Sequence, residues 1–449
     1  MFKLPLERTR ANLAYPPFHQ LPAEWILGGH PGDQRRRGAT CGGAEPALGP
    51  GGDPCHAMLC PPQVQMPLKP RVNDMELVDA AVKSAEPETP ISYLKVYSHQ
   101  LMARVLAQCV LQSDLSAVYA QILVQSLDGQ ELYIKNFPTL TGERFGQVWR
   151  SFTDQTVCGL IHENGEVTLA PSDDYLLLEG DNILLLADDS KFTPCAPRPW
   201  RATADIASLH KRGDIKPKHT VMVGWDEHSA DVLDGLDDFA VPGSTVSVLS
   251  TTDWPDLPRE YVQSKYKNIR EAGVIDAGTV LLSGDLEDRD VLTALMVINQ
   301  IPDKSAEGRQ VLAVMNDDSY GKLLQDLSAR HASRTKTKLM LPNELHGGLL
   351  TQAMRNPGLE KVFLELLKSE GHEIYTLDAK NYISEEKRQY TFGEICASAR
   401  IYNQIALGYV SENEGVVLNV SKDKMRSFSA KDKIIVLSEE AYCSLQSSK

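Results

Sequence analysis

An α/β fold, with a doubly wound parallel sheet and two small α+β lobes, is what this sequence predicts, on three observations. Short apolar strands alternate with helical segments between residues 219 and 343. Two stretches, 142–189 and 389–440, repeat one pattern. Apolar residues make up 42% and charged residues 24%, enough apolar side chain to build packed cores. A length of 449 residues leaves room for about two to four domains.

The front of the chain stands apart. Residues 1–70 hold 12 of the 26 prolines, several glycine pairs and the basic run Arg35-Arg36-Arg37. Such a stretch buries too little surface to offset chain entropy, so 1–75 is read as a disordered Pro/Gly-rich segment. Of Cys41, Cys55, His56 and Cys60 within it, only Cys55 and Cys60 approach metal-ligand spacing.

Helical period starts near Ser92, with Tyr93, Val96, Tyr97, Leu101, Val105 and Cys109 recurring at three and four residues. Asp114 opens a second helix, Leu115 to Leu127, ended by Asp128-Gly129. Residues 76–130 thus form a helical segment. Short strands follow in a first β-rich lobe, 131–190. ELYIKNF is one; TVCGLI and EVTLA pair around Asn164-Gly165, a two-residue hairpin signal; NILLLAD is another. A helical piece, Arg144 to Phe152, lies between the first two. Residues 191–218, rich in proline, read as a linker.

The next block, 219–343, is Rossmann-like. TVMVG, STVSVLS, TVLLSG, QVLAVMN and KLML are continuous apolar runs, as strands buried on both faces require. Helices stand between them, one bearing Val232, Leu233 and Leu236, one from Asp288 to Gln300 and one from Ser319 to His331. A helical connector occupies 344–372, and a second small β-rich lobe occupies 373–449. The second lobe repeats the first. Phe145-Gly146 answers Phe392-Gly393 at an offset of 247, Gly159 answers Gly408 at 249, and Asp181 answers Asp432 at 251. Each copy follows a helix pair, which implies a duplicated unit.

The candidate sites lie at strand ends. The first βα turn reads V-G-W-D-E-H-S, with Asp226 and Ser229 where a dinucleotide fingerprint places glycines after Gly224. A carboxylate there repels a pyrophosphate, so classical NAD binding is not expected. Open α/β sheets bind ligands at strand ends, which makes Gly224, Trp225, Asp226, His228 and Gly284 the expected ligand cleft. Asp285, Glu287 and Asp288 offer oxygen ligands for calcium, although no EF-hand loop is present. No nucleophile–base motif stands out, so no enzyme is expected. A net charge of −14 excludes sequence-independent nucleic-acid binding. No run of 18 apolar residues occurs, so none of this sequence reads as a membrane-spanning helix. Five scattered single cysteines suit a reducing compartment.

Three motifs carry a resemblance. SGDLED ends one strand, Asn316-Asp317 ends the next, and Pro342-Asn343-Glu344-Leu345 opens the following helix. Together they resemble the RCK domain, the regulator of potassium conductance. More narrowly, residues 90–449 resemble the CASTOR and POLLUX ion channels, including the V-G-W turn in VMVGWDEHSADVLDGLDDFAVPGSTVSVLS. The resemblance implies an RCK-type sheet, a homo-oligomeric ring of RCK units below a cation pore, and gating by a ligand or calcium. It implies a nuclear or plastid envelope setting, with the pore encoded upstream or on a separate subunit. Two other readings remain open at this point: an NAD-linked oxidoreductase and a soluble oligomeric scaffold.

Overall fold

The computed structural model describes residues 67–68, 94–95, 98–124, 129–203, 217–226, 228–249, 269–270, 277–284, 286–299, 308–316, 320, 335–356, 358–368, 371–384, 388–429 and 431–439. All of them lie in one compact unit, Pro61–Lys449. Apart from Pro67–Leu68, the segment expected to be disordered falls outside the described residues, as does the helix expected over 319–331 except Tyr320.

Strands β1 (Pro67–Leu68) and β2 (Leu94–Lys95) form a two-residue parallel pair. The helical period seen from Ser92 therefore begins later, at α1 (Ser98–Leu111), because Leu94–Lys95 are taken up by strand pairing. Helix α2 (Leu115–Leu123) ends at Val124, whose extended backbone breaks the expected run to Leu127. The first lobe comprises β3 (Glu131–Lys135), the short α3 (Phe145–Val148), β4 (Thr156–Ile161), β5 (Val167–Leu169) and β6 (Asn182–Ala187). Its β4–β5 loop has three residues, not two. His162 N–H donates to Glu166 O, and only Gly165 has positive φ (+81°). A two-residue type I′ turn needs positive φ at both central residues, which Asn164 does not adopt.

The α/β lobe runs β7 (His219–Val223), α4 (Ser229–Phe239), β8 (Ser244–Leu249), β9 (Ile269–Arg270), β10 (Thr279–Leu282), α5 (Asp288–Ile298), β11 (Gln310–Val314) and β12 (Lys336–Met340). Strand order is β12-β11-β10-β7-β8-β9, and every pairing is parallel. Side chains alternate between the faces. Met222, Leu281 and Leu312 join the main core, while Val221, Val280, Leu282 and Val311 join a second core with Val291, Leu292 and Leu295 of α5.

Helices α6 (Pro342–Arg355) and α7 (Leu359–Leu366) follow. Pro342 starts α6 without losing a helical hydrogen bond, and Gly358, at φ +100°, turns the chain into α7. The second lobe holds β13 (Glu373–Asp378), β14 (Gln389–Thr391), α8 (Phe392–Arg400), β15 (Ile405–Ser411), β16 (Gly415–Leu418), β17 (Met425–Ser427) and β18 (Lys433–Ser438). A capping box fixes the start of α8: Glu394 N donates to Thr391 Oγ1, and Thr391 N donates to Glu394 Oε2.

The two lobes share one topology, β3-β6-β4-β5 and β13-β18-β15-β16. They share a register shift too, between Val157 and Gly159 and between Ala406 and Gly408. A Cβ on Gly159 would lie 2.4 Å from Thr168 O, and one on Gly408 would lie 2.0 Å from Val417 O. Both positions are therefore held to glycine by the neighbouring strand. The helix pairs correspond as well. Leu106-Ala107-Gln108-Cys109 of α1 answers Leu350-Thr351-Gln352-Ala353 of α6, and each glutamine is buried. Gln108 accepts from Tyr119 of α2, and Gln352 donates to Ile122 O of the same helix.

Candidate functional site

In an open parallel sheet the ligand crevice lies where strand order reverses, here between β7 and β10. Gly224 ends β7 at φ +94° and Gly284 ends β10 at φ +79°, backbone shapes that favour glycine. The two turns pack directly on each other. A Cβ on Gly224 would lie 1.8 Å from Ser283 O, and one on Gly284 would lie 2.6 Å from Trp225 N. Trp225 is half-buried against the main core. Asp226 closes the turn locally. Its Oδ1 accepts from His228 N at 3.0 Å and from Ser229 Oγ at 2.7 Å, while Ser229 Oγ accepts from Asp226 N at 2.9 Å. His228 occupies the N-cap position of α4. These five expected cleft residues therefore do converge at the switch point.

The expected calcium ligands are placed less uniformly. Glu287 is the exposed N-cap residue of α5, and Asp285 lies outside the described residues. Asp288 is half-buried, and its Oδ1 accepts from Asn316 N at 2.9 Å. Asn343 Nδ2 in turn donates to Asn316 Oδ1 at 3.4 Å. Hydrogen bonds thus join successive strand-end turns, and each of the three sequence motifs contributes one residue. Among the described residues no group of three or more His, Cys, Asp or Glu could hold a metal ion.

Residues 99–198 match the family model for Castor and Pollux, described as part of a voltage-gated ion channel. The "Probable ion channel POLLUX" of Oryza sativa subsp. japonica is 24% identical over 398 residues, covering 77% of this chain and 41% of the relative. The "Ion channel CASTOR" of Lotus japonicus is 25% identical over 405 residues, covering 77% and 46%. This chain is similar in sequence to the CASTOR and POLLUX ion channels. It spans less than half the length of these curated relatives. The human SLO3 gating ring superposes with a TM-score of 0.59 over 84% of this chain and 81% of that one, at 13% identity. That likeness is one of fold, and it agrees with the RCK-type sheet and lobes described above.

A second set of polar contacts, which no sequence motif announced, joins the second lobe to the first. Arg400, at the end of α8, crosses to the first lobe. Its Nε donates to Asp173 Oδ1 at 2.8 Å and an Nη to Pro171 O at 2.6 Å. Lys422 crosses as well, donating from Nζ to Phe152 O at 2.7 Å and Gln155 O at 2.5 Å. Asn419 donates to Asp154 O and Asp188 Oδ1 and accepts from Thr156 Oγ1. The only sequence signal was the duplication itself, which sets an acid at 173 opposite a lysine at 422.

Proposed function

We propose that this chain is the regulatory gating-ring region of a cation channel, with the pore supplied outside the described residues. One arrangement carries the reading. Helices α1 and α6 are equivalent parts of two tandem units, and α1 covers an α/β lobe. Ala103 and Ala107 of α1 lie against Gly235 of α4, where an added Cβ would come within 3.1 Å of Ala107 Cβ. The corresponding residues of α6, Gly347 and Thr351, are exposed, and beside them Met354 is 44% exposed. A face of that shape matches the helix of another α/β lobe. Units packed in this alternating way close into a homo-oligomeric ring. The named activity of the CASTOR and POLLUX relatives and the fold of the SLO3 gating ring point the same way.

Gating in such a ring is a population shift. A ligand moves the pore only by its differential affinity for the two ring states. The turns at Gly224–His228 and at Gly284 are the proposed ligand cleft, with calcium at Asp285, Glu287 and Asp288 as the ligand to try first. No helix among the described residues is long and apolar enough to cross a membrane. A membrane setting therefore rests on the channel relatives and on a pore elsewhere, and a nuclear or plastid envelope is the membrane we propose for it.

The deciding experiment isolates the native protein with an antibody against the C-terminal peptide SLQSSK and reconstitutes the complex in planar bilayers. Cation conductance that disappears on Met354→Asp, a change placed on the open α6 face, supports the reading. A monomer recovered without any membrane partner overturns it.

A further inference from the structure

The sequence predicts a linker from residue 191, and residues 191–203 hold neither helix nor strand. They are nevertheless docked, and on both lobes at once. On the first lobe, Phe192 meets Tyr133 edge to face with ring centroids 5.2 Å apart. Cys195 N donates to Ser151 O at 2.8 Å, and Arg198 N donates to Arg150 O at 3.1 Å. Trp200 stacks on Trp149 with centroids 6.0 Å apart. On the second lobe, the Trp200 ring lies over Gly393, whose missing Cβ leaves the room it takes. Thr203 N donates to Ser398 Oγ at 3.0 Å, and Thr203 Oγ1 donates to Tyr382 O at 3.3 Å. Trp200 thus sits in a groove whose walls come from different lobes.

These attachments are few and lie at the surface. Cys195, Pro197, Arg198 and Pro199 are exposed, while Phe192, Pro194, Trp200 and Thr203 are half-buried. Arg198 pairs with Asp423 of the second lobe at 3.5 Å, but the two side chains are 54% and 49% exposed, so solvent screens the pair. Lifting the segment away breaks no helix and no sheet ladder. Pro194, Pro197 and Pro199 carry no N–H and hold the backbone extended, so the segment gains little chain entropy when it leaves. A segment with few buried contacts and exposed backbone hydrogen bonds opens without the rest of the fold.

We propose that residues 192–203 are a detachable strap, a proline-rich intramolecular ligand whose Trp200 fills a groove formed by Trp149 of the first lobe and Gly393 of the second. Docked, the strap locks the lobe boundary. Released, it leaves that boundary to the contacts of Arg400, Asn419 and Lys422 and opens a groove that fits an extended, proline-rich strand carrying a tryptophan. The proposal goes beyond the channel reading and is independent of it, because it concerns only the lobe boundary.

Two measurements on the full chain test it. Hydrogen exchange reads the opening in the unaltered protein. The Cys195 and Arg198 amides are expected to exchange together, and about tenfold or more faster than the amides of the inner strands β6 and β18. A synthetic peptide of residues 191–203, with a fluorophore at its N-terminus, reads the groove. It is expected to bind the Trp200→Ala chain saturably. The unaltered chain should bind it at least about tenfold more weakly, because the tethered strap competes at high effective concentration. The peptide bearing Trp200→Ala is expected to bind neither chain. Equal binding of the unaltered peptide to both chains, or none to the Trp200→Ala chain, overturns the proposal. So do strap amides that exchange no faster than those of β6 and β18, and that measurement decides the matter if Trp200→Ala fails to fold.

Discussion

Asp173 and Lys422 hold one backbone position in the two copies of the lobe and carry opposite charges. Asp173 O accepts from Gly146 N at 2.9 Å, and Lys422 O accepts from the equivalent Gly393 N at 2.8 Å. Each then meets the end of the other copy's helical segment. Asp173 receives Arg400 from α8, and Lys422 reaches the carbonyl of Phe152 just past α3. Duplication first makes two identical surfaces. Opposite charges at 173 and 422 let the two surfaces recognise each other asymmetrically.

Neutralising Asp173 is therefore expected to loosen the lobe boundary. The Arg400 side chain is 6% exposed, whereas that of Asp173 is 41% exposed, so solvent screens part of the pair. Asp173→Asn should cost about 1–2 kcal/mol, and Arg400→Met more, because it also abandons Pro171 O and the Asn403 side chain. Denaturant midpoints measure both. Midpoints equal to that of the unaltered chain would show the pair to be energetically idle.

Gly393 should tolerate no side chain. A Cβ there would lie 2.4 Å from the Trp200 ring, which stacks on Trp149 with centroids 6.0 Å apart and planes at 14°. Gly393→Ala is expected to displace Trp200 and cost about 1–3 kcal/mol. Tryptophan emission should shift to the red as the ring meets water. Unchanged emission and stability would place Trp200 elsewhere in solution.

Stability should also fall with pH through a range set by Glu373. This residue opens β13, is 7% exposed, and burial raises its carboxyl to about 7. The folded state holds the proton more tightly than the unfolded chain does. The stabilising contribution is complete below the unfolded value near 4.5 and is lost as pH rises towards 7. The loss is on the order of 2–3 kcal/mol. Glu373→Gln should flatten the stability profile between these limits, and a profile that keeps its slope would assign the dependence to other groups.

Much of this protein was legible before any coordinate. The apolar strands of the α/β lobe are continuous because helices cover both faces, and that pattern survives in linear order. The duplicated lobes were legible because identical bulges demand glycine at 159 and 408. Where local signals faced tertiary competition, they gave way. Ser92 had helical period, but Leu94–Lys95 pair as a strand, and Asn164-Gly165 had the turn composition but closes a three-residue loop.

The sequence by itself determined the α/β class, the strand-end turns and the repeat, since each rests on local backbone shape or on periodic burial. Only the tertiary structure decided that α1 packs across onto α4 of the later lobe, that three strand-end motifs join through Asp288, Asn316 and Asn343, and that Arg400 and Lys422 cross the lobe boundary. Those contacts join residues that are distant in the chain. Their partners are chosen by fit and charge between finished surfaces, a choice that no periodicity encodes.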